Sequence, residues 1–191
     1  MHLLTLLRHR THRHHARLDA GIDFRSGRIT LARYTAFLRG VLAVVTPLEP
    51  ALVRWLGSVA TPSRTDCLHA DLMQLDGSCA VEQVPVGLPR NAAEAYGCAY
   101  VLEGSALGGL VLAPLIEQGL GIDGATSYLR LRGAETARAW RAWLRQFEAF
   151  GATASADEAR AACDMACATF DAYRVSLTLT GVCEEHGECT S

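Results

Sequence analysis

The sequence predicts an all-α fold, and three observations carry that expectation. Apolar residues recur at helical spacing along most of the chain. No stretch shows sustained strand-like alternation or a hairpin signal. No internal repeat imposes another architecture. The expected number of helices is six to eight. The chain has 191 residues, half of them hydrophobic, with a formal net charge of −2. That length fits one domain with a substantial core, read here as residues 1–180 followed by a mobile tail over 181–191.

The first helix carries the stripe Leu4, Leu7, Thr11 and Leu18. A loop is expected from Asp19 to Ile29, with Gly21 and Gly27 inside it. Thr30 is placed to cap a second helix, whose stripe runs from Leu31 through Tyr34, Phe37, Leu38 and Val41 to Val45 and stops at Pro47. Pro50 then opens a further short helix through Trp55 and Leu56. Ser63 with Asp66 resembles a capping pair ahead of the stripe Leu68, Leu72 and Leu75. The segment from Asp76 to Pro89, with two glycines and two prolines, is a long connection.

Asn91 and Glu94 open a glycine-rich helix that runs through Tyr96, Gly97 and Tyr100 toward Ile116, and Gly119, Gly121 and Gly124 end it. Tyr128 to Leu131 is a short apolar segment closed by Gly133. Ala137, Trp140, Trp143, Leu144 and Phe147 mark the next amphipathic helix, closed by Gly151. Ser155 and Glu158 form a capping box for the last long helix, whose apolar face includes Ala159, Ala162, Ala166, Phe170, Tyr173 and Leu177.

Composition excludes several functions. The near-neutral charge points away from nucleic acid and from an anionic membrane surface as partners. All 18 basic residues are arginine, so there is neither a lysine for Schiff-base chemistry nor one for a phosphate-binding loop. The most apolar stretch, Ala106 to Ile116, is shorter than the roughly 20 residues of a membrane span. The N-terminal apolar run is too brief for a signal peptide. Seven scattered cysteines read as free thiols in a reducing cytoplasm.

Chemistry concentrates at two stretches. Tyr100 to Gly109 sits inside a helical pattern although three of its ten residues are glycine, each costing a helix about 1 kcal/mol against alanine. Gly97, Gly104 and Gly108 share one side of that helix. A side without Cβ atoms serves either close packing against another helix or a floor under a planar ligand. On the first helix, His14 and His15 flank the apolar stripe on opposite sides, about 50° from its centre, so periodicity does not choose between them. His9 and His12 project away. Arg8 lies two turns before His15 at nearly the same angle. A histidine helix with a cation nearby, facing a glycine-floored helix, has the parts a planar, dianionic, iron-bearing ligand needs: an axial imidazole, a carboxylate partner and close backbone approach.

Other motifs are weaker. Ser105 lies in Gly-Ser-Ala-Leu-Gly, which is not a nucleophile elbow. Glu103 has the chemistry of an acid or base but is equally explained as solvated. Cys183, His186 and Cys189 have the spacing of three metal ligands, one short of a structural zinc site. Cys163 and Cys167 share a helix face as small core residues.

At two motifs the chain resembles the bacterial biliverdin-producing haem oxygenases, of the type associated with bacteriophytochromes. Leu7-Arg8-x-x-Thr11-x-x-x-His15-x-x-Leu18-Asp19 is similar to the family's proximal-helix signature. Tyr100-Val-Leu-Glu103-Gly104-Ser105-x-Leu107-Gly108-Gly109 is similar to its distal-helix signature. Weaker similarity extends over most of the chain except the tail. The resemblance implies a haem-oxygenase-like helical bundle with haem clamped between the first helix and the glycine-rich helix. It makes His15 the axial iron ligand. Arg8, and less directly Tyr100 and Arg174, would meet the haem propionates. Gly104, Gly108 and Gly109 would form the distal face.

It further implies that haem is both cofactor and substrate. Molecular oxygen and an external electron donor, such as a ferredoxin or a reductase, would open it to biliverdin, carbon monoxide and ferrous iron. Ser105 stands where animal members carry an aspartate that anchors a water network, so proton delivery would fall to a backbone-held water, Ser105 or an inward-facing Glu103. Two rivals keep the fold: a haem carrier or sensor without catalysis, and a haem-free enzyme using a nucleophilic cysteine such as Cys98.

Overall fold

The computed structural model describes residues 2–24, 29–57 and 63–183. Among the described residues there are six α-helices and no strand: α1 (Leu3–Ile22), α2 (Leu31–Leu56), α3 (Arg64–Asp76), α4 (Ala92–Leu120), α5 (Thr136–Thr153) and α6 (Ala156–Leu179). A single 3-10 turn, Gly133–Glu135, leads into α5. The all-α expectation holds.

The expected caps are present. The side chains of Thr30, Ser63 and Asn91 each accept the amide N–H three residues on, from Arg33, Asp66 and Glu94. Ser155 and Glu158 complete the reciprocal capping box. Glu49 adds a second cap to α3 from the side, accepting the Arg64 and Thr65 amides at 2.7 and 3.0 Å.

Several boundaries differ from expectation. Pro47 and Pro50 lie inside one continuous α2 instead of separating two helices. Val45, Leu48 and Leu52 are fully buried across that stretch. The unbroken apolar stripe outweighs the hydrogen bonds the two prolines forfeit. α1 continues through Asp19 to Ile22, because Arg33 donates to the exposed carbonyls of Gly21 and Ile22 at 3.2 and 3.0 Å. The same guanidinium reaches the Val182 carbonyl at 3.0 Å, and Val182 and Cys183 are buried. The first residues of the expected 181–191 tail are therefore packed against α1, and 184–191 lie outside the described residues. Gly151 does not end α5; a Cβ there would come within 3.0 Å of Leu3, so it admits α1 instead.

α4 and α6 cross at the centre. Gly97 makes this possible: a Cβ there would lie 2.0 Å from the Ala162 carbonyl oxygen. α1 packs on α6, α2 lies against α3, α4 and α6, and α5 covers α4 and α1. α2 and α4 are long and apolar enough to cross a membrane by length and composition, and about half of each apolar window is buried in this core. Behind α4, Arg64 and Glu103 are 1% and 2% exposed and form a 2.8 Å ion pair that joins α3 to α4. Arg132 closes on the same carboxylate at 2.8 Å.

Candidate functional site

A cleft of about 920 Å³ opens between α1 and α4, near the upper end of the range for small-molecule sites. α1 contributes Arg8, His15 and Asp19, and α4 contributes Tyr100, Gly104, Ser105, Gly108 and Gly109. Apolar walls come from α2 and α6, including Phe37, Val41, Phe170 and Leu177. The aromatic ladder of α5 closes one side: Trp140 lines the cleft, stacks on Trp143 at 5.2 Å and lies 6.0 Å from Tyr100.

The histidine tie is broken by partners far away in sequence. His14 turns to α6, its Nδ1 lying 2.9 Å from Asp171, and it does not line the cleft. His15 lines the cleft. Its Nδ1 lies 3.0 Å from the Asp19 carboxylate one turn on, and its ring meets Phe170 edge-on at 5.6 Å. With Nδ1–H donated to Asp19, Nε2 keeps its lone pair. The carboxylate one turn on fixes the ring, the arrangement usual behind a metal-binding imidazole. No other histidine, and no cysteine or methionine, lines the cleft among the described residues. Arg8 lines it on the same helix with no ion-pair partner among them.

The glycines of α4 divide into two kinds. At Gly108 a Cβ would meet nothing within 4 Å, and at Gly104 it would meet only the Trp140 ring at 3.8 Å. These two leave bare helix backbone facing the cleft. Gly97, on the same side of the helix, serves the α6 crossing instead. Gly109 lines the cleft too, but a Cβ there would lie 2.3 Å from the Leu129 carbonyl oxygen, so it also admits the segment before α5. Floor and helix packing are both present, at different residues.

Glu103 does not face the cleft; it is held by Arg64 and Arg132 on the opposite side of α4. Arg174 is exposed on α6 and does not line the cleft. Cys98 is fully buried, lies outside the cleft, and burial pushes its thiol up to about 12. It is no nucleophile. Cys183 is buried beside Gly21, while His186 and Cys189 lie outside the described residues. Among the described residues no cluster of three or more His, Cys, Asp or Glu is arranged to hold a metal ion.

Four cleft residues were not singled out for function from sequence: Asp19 as the partner of His15, Trp140, and the phenols Tyr128 and Tyr173. The one local signal was the i,i+4 spacing of His15 and Asp19. Tyr128 reads as apolar filler because its place depends on tertiary anchors. Asp71 of α3 accepts the Ser127 and Tyr128 amides, both at 2.9 Å. Tyr34 of α2 donates to the Ala125 carbonyl at 2.7 Å. Burial pushes the Tyr128 and Tyr173 phenols up, so both stay protonated at neutral pH.

No family profile and no curated protein matches the sequence. Solved structures do match the fold. A heme oxygenase from Leptospira interrogans is similar with a TM-score of 0.75 and 16% identity, over 94% of this chain and all of that one. Heme oxygenase-1 from the cyanobacterium Synechocystis sp. PCC6803, solved in complex with heme, is similar with a TM-score of 0.68 and 17% identity, over 95% of this chain and 91% of that one. The chain therefore has the fold of bacterial haem oxygenases.

Proposed function

We propose that the protein is a haem oxygenase that binds haem between α1 and α4 and converts it, with dioxygen and an external electron donor, to biliverdin, carbon monoxide and ferrous iron. The observation that carries the reading is His15, held through Nδ1 by Asp19, on a cleft whose α4 side is bare backbone at Gly104 and Gly108. The residues fit such a group. An imidazole nitrogen is available, the Arg8 guanidinium is unpaired among the described residues, and the opposite wall has no Cβ to obstruct a flat ring.

Haem bound in the cleft supplies the iron that activates dioxygen and the ring that is opened. The chain supplies position, exclusion and hydrogen bonds. His15 would supply a nitrogen to the iron, its ring oriented by Asp19. Arg8 would hold a carboxylate of the group with a charge-assisted hydrogen bond. Phe37, Val41, Phe170 and Leu177 would give the ring an apolar surround that excludes water. Gly104 and Gly108 would let the α4 backbone approach the ring closely, with Ser105 beside it. With no second histidine, cysteine or methionine on the described cleft wall, that space stays open to a small ligand, which favours an oxygenase over a bis-ligated carrier.

The motif resemblance extends the proposal to a cytoplasmic enzyme that takes electrons from a ferredoxin or a reductase and supplies biliverdin to a bacteriophytochrome. The test is an absorption spectrum with one equivalent of hemin, followed in air after addition of ascorbate or a ferredoxin system. A Soret band that decays as a broad red band rises supports the oxygenase. A Soret band that persists leaves a carrier or sensor, and no Soret band removes haem from the account.

A further inference from the structure

The α5 wall of the cleft is built of rings that can be oxidised. Trp140 lines the cleft and is half-buried. Its ring lies nearly parallel to that of Trp143, with centroids 5.2 Å apart and 11° between the planes, an offset stack. Tyr100 of α4 lies 6.0 and 6.3 Å from the two indoles. Trp143 is 7% exposed and stacks in turn on Phe147 at 5.2 Å. Two of the chain's three tryptophans thus form one pair, with the first ring facing the cleft and the second sealed in the core. The third, Trp55, donates to the Pro89 carbonyl at 2.9 Å and does not line the cleft.

Helical spacing explains why positions 140 and 143 share a face. It does not require that both be indoles, which give up an electron more easily than any aliphatic side chain or phenylalanine. Parallel contact lets two indoles share the charge left behind. The other oxidisable groups are worse placed. Among the described residues no cysteine or methionine lines the cleft. Tyr128 and Tyr173 do line it, but a phenol loses an electron readily only when its proton leaves as well. Burial pushes both phenols up and holds those protons on. An indole has no such need, because its cation radical can form first and lose the Nε1 proton later. Trp140 is therefore the cleft side chain that yields an electron at least cost.

We propose that the stacked pair Trp140 and Trp143 is a one-electron donor to the cleft, drawing off oxidising equivalents that hydrogen peroxide delivers to bound haem. This rests on the haem reading above. Hydrogen peroxide is the co-reactant, the product formed wherever reduced dioxygen escapes unused. One peroxide becomes two waters, its O–O bond breaking as it takes up two electrons and two protons. The haem iron gives one electron and the tryptophan pair gives the other. The indole Nε1–H gives one proton and solvent gives the second, leaving a neutral tryptophan radical. Beyond Phe147, the next oxidisable ring is Tyr96, at 6.0 Å from Phe147 and stacked on Phe150 at 4.4 Å. Neither Tyr96 nor Phe147 lines the cleft, so the ladder leads away from His15 and from the bound ring.

The test treats the ferric haem complex of the full chain with hydrogen peroxide and records electron paramagnetic resonance after rapid freezing. Wild type is compared with wild type carrying ring-deuterated tryptophan, and with Trp140→Phe and Trp143→Phe. The expected result is an organic radical that narrows on tryptophan deuteration, with oxygen added to Trp140 or Trp143 and not to Trp55 in peptide masses. In Trp140→Phe the tryptophan signal should be lost and the Soret band should bleach faster. Phenylalanine keeps an apolar ring in the stack, so a role in packing alone leaves the radical as in wild type. Binding of hemin with no organic radical, or a radical insensitive to tryptophan deuteration, would overturn the inference and leave the haem reading standing. So would a tryptophan signal that survives unchanged in both variants. Failure of wild type to bind hemin would overturn both. If one variant does not fold, the other decides together with the labelled wild type.

Discussion

His14 and His15 are neighbours in sequence and strangers in environment. One is tied to Asp171 on α6, and the other stands over the cleft with Asp19 behind it. His15→Ala is expected to lose the Soret band of hemin binding, while His14→Ala retains it. Asp19→Ala should weaken hemin binding by about 10-fold or more, since partners behind a metal-bound imidazole typically contribute that much. A hemin titration followed at the Soret band checks all three, and equal losses at 14 and 15 would mean that another residue holds the iron. The helical wheel could not separate the two histidines, because the deciding partner of His14 lies 157 residues away. The same distance effect hid Glu103. Its partners Arg64 and Arg132 are 39 and 29 residues away, so an acid that reads as solvated is instead the centre of a buried ion-pair network.

The elements were more legible than the contacts between them. Thr30, Ser63, Asn91 and Ser155 announced four helix starts, because capping is local chemistry confined to about four residues. Pro47 and Pro50 misled because proline reports a local cost, and the buried stripe Val45, Leu48, Leu52 reports a larger tertiary gain. In α4 the glycines are alike in sequence and opposite in use. Gly97→Ala should lower stability by about 1–3 kcal/mol or more, because its Cβ would be driven into the backbone of α6. Gly108→Leu should leave the melting temperature nearly unchanged, because its side chain enters open space, and should abolish hemin binding. Thermal melts and hemin titrations on the two variants check this. A reversed pattern would place the ligand on another face of α4.

At the scale of the whole molecule, the bundle depends on a few buried charges that join helices end to side. Glu49 of α2 receives two amides and two hydroxyls at the start of α3, and those hydrogen bonds hold its carboxyl below the ordinary glutamate range despite burial. A folded value below the unfolded one means stability that is fully present above the unfolded value and lost as pH falls through the folded one. Glu49→Gln should therefore cost about 1–2 kcal/mol at neutral pH. The gap from wild type should narrow on acidification below the glutamate range. Denaturant melts at several pH values read this, and a gap independent of pH would deny the carboxylate its capping role. Asp71 runs the other way: burial pushes its carboxyl up, so its ionisation opposes folding as pH rises. None of this was visible in the sequence, where Glu49 stands between two prolines and Asp71 inside an ordinary stripe.

The side chains of His15 and Asp19 are 60% and 64% exposed, so the proposed iron anchor is reached without unpacking the core. On the proposed reading, this ties retention to turnover. Only an occupant that still carries iron is tethered to the imidazole. Once the metal departs, the remaining open-chain pigment would lose that tether and keep only its contacts with the cleft walls and Arg8. The reaction would thereby cut one of its own moorings.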